Sequence, residues 1–145
     1  MRGFLHGVKY AAWISKEIFV AGFDAVAAAF NPRTKFESIV IYYPLRVNTD
    51  WDLFWFSTSI TATPGTLSMG FRHPVTPGGP ITLLVQAAFG SDPEDVIAGL
   101  ADMEEHLRPS LRNSPIDPAT VAWEPYVDHG PDNTGAHVPP AERMD

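Results

Sequence analysis

At 145 residues, 45% of them hydrophobic and 19% charged, the chain has room for one domain and one extra element, with enough apolar residues for a packed core. It contains no cysteine, which excludes a disulfide framework and a Cys-based zinc site. The net charge of −7 is unevenly placed: residues 1–47 carry six Lys/Arg against three acids, and residues 113–145 carry one Arg against six. A basic start and an acidic end suit an N-terminal part near anionic lipid, and the overall sign argues against nucleic acid as a partner.

From Gly3 to Phe30 no proline interrupts the chain, and Asn31-Pro32 supplies a stop. A helix of that span is about 42 Å long, enough to cross a bilayer core of roughly 30 Å. At 100° per residue, Arg2, His6, Lys9, Lys16, Glu17 and Asp24 fall within one arc of about 100°. Phe4, Val8, Ile14, Ile18, Phe19, Phe23, Val26 and Phe30 cover much of the rest. Inserted alone, Lys16, Glu17 and Asp24 would cost about 7–10 kcal/mol, against a return of about 3–5 kcal/mol from the Ile, Val and Phe residues. The helix therefore spans a membrane only if its polar stripe meets partner helices, and otherwise lies in the interface plane. Ala27-Ala28-Ala29 resembles a signal-peptide cleavage site, but Lys16-Glu17 and Asp24 break the apolar region before it. The soluble alternative, a helix packed by its apolar face on a core, asks for more cover than the remaining chain supplies.

The segment Ser38–Leu45 is rich in β-branched and aromatic residues and reads as a strand. Thr49 then caps a helix with acids in its first turn, running from Trp51 to Ala62, although the aromatic density there also admits a strand. After the turn Thr63-Pro64-Gly65-Thr66 come two strands, Thr66–Arg72 and Ile81–Phe89. A helix opening on Ser91 as cap, with Pro93 in its first turn and Glu94 at the capping-box position, aligns Val96, Leu100, Met103 and Leu107. The order β-α-β-β-α makes an α+β fold, a ferredoxin-like split βαβ sheet without its last strand, which Trp123 within 120–124 can add. The chain thus divides into a membrane-associated or transmembrane helix (1–31), a small α+β domain (36–112) and an acidic, Pro-rich tail expected to be disordered (113–145).

Catalytic constellations are thin. No G-x-G-x-x-G, Walker loop or G-x-S-x-G elbow is present. The hydroxyl run from Ser57 to Thr63 has no nearby His or Lys, and helical Ser/Thr usually bond the preceding turn. Asp102, Glu104, Glu105 and His106 read as a solvated helix face rather than a metal cluster, and His73, His129 and His137 lack companions at ligand spacing. No catalytic residue, metal or cofactor is implied.

The segment Ser57-Thr-Ser-Ile-Thr-Ala-Thr-Pro-Gly-Thr66 resembles a signature of the E subunit of the Mrp-type multisubunit Na+/H+ antiporters, an "ANSITLTPGT"-like segment, carried here by Ser59, Ile60, Thr61, Thr63, Pro64, Gly65 and Thr66. The likeness extends to Lys16-Glu17-Ile18, Tyr43-Pro44-Leu45, Leu83–Gln86, Asp92–Asp95 and Met103-Glu104, covering about residues 9–112. Departures are Ala62 in place of Leu, and Gln86–Phe89 where a His-containing stretch is usual. Members usually begin with additional hydrophobic helices, so the resemblance reads this chain as an N-terminally short member. It implies a non-catalytic accessory subunit of a monovalent cation/proton antiporter, supporting assembly and activity at the cell membrane. The α+β domain would be cytoplasmic, and the partners would be other membrane subunits and the bilayer. Lys16, Glu17 and Asp24 are then expected to face a neighbouring subunit. The signature turn also has a structural rationale, since Pro64 ends a helix and Gly65 tolerates positive φ. Two other readings remain open: a peripheral adaptor whose helix lies flat on anionic lipid, and an enzyme with a titratable group beside the hydroxyl run.

Overall fold

The computed structural model describes residues 2–30, 37–74, 76 and 78–127. Helix α1 (Arg2–Phe30) is followed by β1 (Ile39–Pro44), α2 (Asp50–Ala62), β2 (Thr66–Arg72), β3 (Thr82–Ala87), α3 (Pro93–Leu107), two short 3-10 turns (Pro109–Asn113 and Pro118–Thr120) and β4 (Trp123–Pro125). The sheet order is β2-β3-β1-β4 with every neighbouring pair antiparallel, the ferredoxin-like arrangement with its fourth strand present. That strand pairs Trp123 with Ile41 and Pro125 with Ile39. The sheet therefore extends into a stretch whose composition alone suggested a tail. Residues 128–145 lie outside the described residues.

The local chemistry explains the elements. Ile39, Val40, Ile41, Tyr42 and Tyr43 are all buried, so β1 is covered on both faces and its sequence shows no polar alternation. Thr49 caps α2 by accepting from the Asp52 N–H, and its hydroxyl donates to Asp52 Oδ2 at 2.7 Å. Asp52, buried, also receives Arg108 Nε at 2.9 and 3.0 Å, which ties the start of α2 to the end of α3. The cap of α3 is Asp92, not Ser91: its side chain accepts from Asp95 N–H, because Pro93 takes the first helical position and moves the cap to the residue before it. Pro109 converts the chain to a 3-10 turn after α3.

The core lies between one sheet face and the helices. Ile39, Ile41, Tyr43, Leu83, Val85 and Ala87 from the strands meet Phe56 and Ile60 of α2, and Ile97, Leu100, Met103 and Leu107 of α3. Tyr10 of α1 joins this cluster, with Trp13 and Ile14 packed against it. Strand β2 is an edge and carries a bulge between Ser68 and Gly70, opposite Val85 and Leu84. Among the described residues, no helix is long and apolar enough to cross a membrane.

Candidate interaction site

The signature run is built into the corner between α2 and β2. Ile60 is fully buried in the core. The Thr63 backbone N–H reaches the carbonyls of Ser59 and Ile60, both at 3.1 Å, and its hydroxyl donates to Ser59 O at 2.8 Å. Thr66 Oγ1 donates to Ile60 O at 2.7 Å, and Thr61 Oγ1 accepts Ser68 N–H at 3.3 Å. Gly65 has φ +92, and its carbonyl accepts Ala88 N–H at 2.8 Å, locking the turn to the end of β3. The hydroxyls thus satisfy the carbonyls and amides freed where the helix stops. A hollow of about 420 Å³ beside the run is lined by Ser57, Thr58, Thr61, Ala62 and Ser68, with no titratable group among them.

Ser59 has a further role: its hydroxyl shares a 2.8 Å buried hydrogen bond with Tyr10 Oη, holding α1 to α2. One turn on, the Trp13 indole stacks on the His106 imidazole of α3, with centroids 4.0 Å apart and planes 6° from parallel. Further along, a β-carbon on Gly22 would sit 3.9 Å from Pro64 Cγ, so α1 passes over the signature turn. Helix α1 therefore forms a third layer, seated on α2 and α3 through Tyr10, Trp13, Ile14, Glu17, Ile18 and Ala21. Between α1, the turn and α3 runs a groove of about 370 Å³, floored by Pro64, Phe89, Val96 and Leu100 and rimmed by Glu17, Asp95 and Asp102.

The predicted stripe separates on this seat. Glu17 is half-buried at the groove, while Lys16 projects outward and meets Glu17 at 3.4 Å. The Asp24 side chain lies outside the described residues. The opposite face of α1 is apolar and uncovered: Leu5, Val8, Phe19, Val20, Phe23, Val26 and Phe30 are 46% to 85% exposed. Side chains of that size seldom stay in water as a continuous stripe, which marks the face as one that meets something beyond the described residues.

A buried ionic network that sequence reasoning missed stiffens the domain beneath. Glu104 is fully buried rather than part of a solvated face. It accepts Arg46 N–H at 2.7 Å, Val47 N–H at 3.0 Å, Arg46 Nε at 2.7 Å and the Tyr43 hydroxyl at 3.0 Å. Arg46 also donates to Glu105, Ala101 O and Ser114 O. Burial lowers the Arg46 pKa, but hydrogen bonding to Glu104 and the charges around it more than offset this, and the net shift is upward. Burial, then the Glu104 charge, push the Tyr43 phenol far above its ordinary 10. The folded state keeps the proton that the unfolded chain releases, so this contribution is fully present below pH 10 and is lost as pH rises beyond it. Urea titrations above pH 10 are expected to show stability falling with pH, and Tyr43→Phe should flatten that decline. Part of the slope should survive, because burial also raises the Tyr10 phenol, despite its Ser59 hydrogen bond.

These features define a small ferredoxin-like domain that presents an amphipathic helix, and the sequence matches place it among transporter subunits. The family model described as "MNHE: Na+/H+ ion antiporter subunit" matches residues 1–108, and the chain belongs to that family. It is 31% identical over 64 residues to the E subunit of the Na(+)/H(+) antiporter of Alkalihalophilus pseudofirmus, a stretch that is 44% of this chain and 40% of the relative. The chain thus spans about two fifths of the length of that curated relative. It is also similar to a chain in the structure of the Mrp complex from Dietzia sp. DQ12-45-1b, with a TM-score of 0.56 and 28% identity, covering 72% of this chain and 94% of that one. The family is one of antiporter subunits rather than of known enzymes, and its place is the cell membrane.

Proposed function

We propose that the chain is a non-catalytic accessory subunit of a multisubunit Na+/H+ antiporter, supporting assembly and activity of the membrane complex. The observation that carries this is the uncovered apolar face of α1, held outward by Tyr10 and Trp13 on a domain whose hydroxyls serve its own backbone. In this reading that face meets the bilayer and the helices of other antiporter subunits, with the α+β domain on the cytoplasmic side. In the same reading Lys16, Glu17 and Asp24 face a neighbouring subunit: Lys16 projects from the helix, and Glu17, half-buried, would meet that neighbour only at the groove rim.

The test is co-purification from gently solubilised membranes. Phe19→Asp combined with Phe23→Asp is expected to remove the chain from the membrane fraction and separate it from the other antiporter subunits. Both residues are exposed, so folding stability should change by no more than about 0.5 kcal/mol for each substitution, about 1 kcal/mol together. Unchanged recovery of the complex would rule the reading out. The stripe has its own test: if Lys16→Ala, Glu17→Gln and Asp24→Asn together leave assembly untouched, those residues do not face a subunit.

A further inference from the structure

The first two turns of α2 carry Trp51, Phe54 and Trp55, which are 67%, 52% and 41% exposed. Their rings pack on one another rather than on the core, with centroids 5.3 to 5.8 Å apart. Neither indole N–H has a hydrogen-bond partner among the described residues. Indoles in that state favour a setting with an apolar body and an acceptor-rich edge, which the headgroup boundary of a bilayer supplies.

The position of the cluster fits the same setting. Trp51, Trp55 and Ser59 recur every four residues and so share one flank of α2, the flank on which Ser59 holds Tyr10. On α1 the lysine side of the apolar face, with Lys9 and Lys16, turns toward α3, because Trp13 next to it stacks on His106. The other side of that face turns toward α2, with only Ala11, Ser15, Ile18 and Gly22 intervening, so no charge separates the described part of the α1 stripe from the α2 aromatics.

We infer that Trp51, Phe54 and Trp55 form a second membrane contact, seated in the headgroup boundary beside α1, so that the domain lies against the bilayer instead of hanging from one helix. This rests on the reading of α1 as the membrane-facing helix. Asp50, exposed at the same helix end, repels anionic headgroups, so the contact is with zwitterionic lipid and persists in high salt.

The test uses the full chain with Trp13→Phe and Trp123→Phe, leaving Trp51 and Trp55 as its two indoles. It is mixed with phosphatidylcholine vesicles whose acyl chains carry bromine or do not. Flotation with the vesicles and quenching of the indole emission by the brominated lipid is the expected result. Serine at Trp51, Phe54 and Trp55 together should weaken vesicle partitioning by about tenfold or more, the equivalent of roughly 1.4 kcal/mol. Flotation without quenching would overturn the aromatic contact and leave the α1 reading standing. Failure to float would overturn both. Emission that shifts only when other antiporter subunits are added would assign the patch to a protein neighbour, and would also overturn the inference.

Discussion

Glu104→Ala is expected to destabilise the domain by about 3–5 kcal/mol, the cost of breaking a buried ion pair by removing one partner. The substitution strands the Arg46 guanidinium, two backbone amides and the Tyr43 hydroxyl, all now satisfied by one fully buried carboxylate. Against a total of roughly 5–15 kcal/mol for a domain of this class, that is a large fraction. Urea unfolding followed by circular dichroism should show the midpoint fall with the slope unchanged. Glu104→Gln keeps the shape and one acceptor, and should fall between the two. A loss below about 1 kcal/mol for the alanine variant would mean that water replaces the carboxylate, contrary to its full burial.

Gly65→Ala is expected to cost about 2–5 kcal/mol, from two independent sources. At φ +92 a β-carbon meets its own backbone, at roughly 1–2 kcal/mol. The same atom would sit 2.8 and 3.0 Å from the Phe89 ring, an overpacking that typically costs about 1–3 kcal/mol. Trimming the ring separates the two: Phe89→Leu should recover the second part and leave the first. If the double variant were no more stable than Gly65→Ala with Phe89 intact, the clash would have no part in the loss.

Much of the domain was legible because local chemistry and tertiary packing agree. The β-branched run at 39–44, the Thr49 cap and the 66–72 strand each carry their own signal, and the structure places them within a residue or two of expectation. Where two local signals compete, the outcome shifts: Ser91 and Asp92 are both good caps, and the proline at 93 decides for Asp92. Glu104 was misread for a different reason. It sits one turn after Leu100 and one turn before Leu107, on the buried side of α3, so its charge in an apolar row was the available clue. Its partner Arg46 lies 58 residues away, beyond what helix periodicity reports. The polar stripe of α1 was likewise visible as a stripe, but which of its members turn toward the domain depends on Tyr10 and Trp13 finding Ser59 and His106. The signature turn was legible as chemistry, with its glycine and hydroxyls read correctly as helix-stop groups.

The two edges of the sheet bear on the time before a chain with the proposed role finds its complex. A four-stranded sheet ends in two rows of amides and carbonyls that another copy of the same chain can extend into a fibril. Here β4 is three residues long and closes on Pro125, too short to template a neighbour. The bulge of β2 bends the other edge, and Thr61 has already taken the Ser68 amide. A copy waiting for the proposed partners can thus expose apolar helix surface while the described edges of its sheet offer its siblings no long strand.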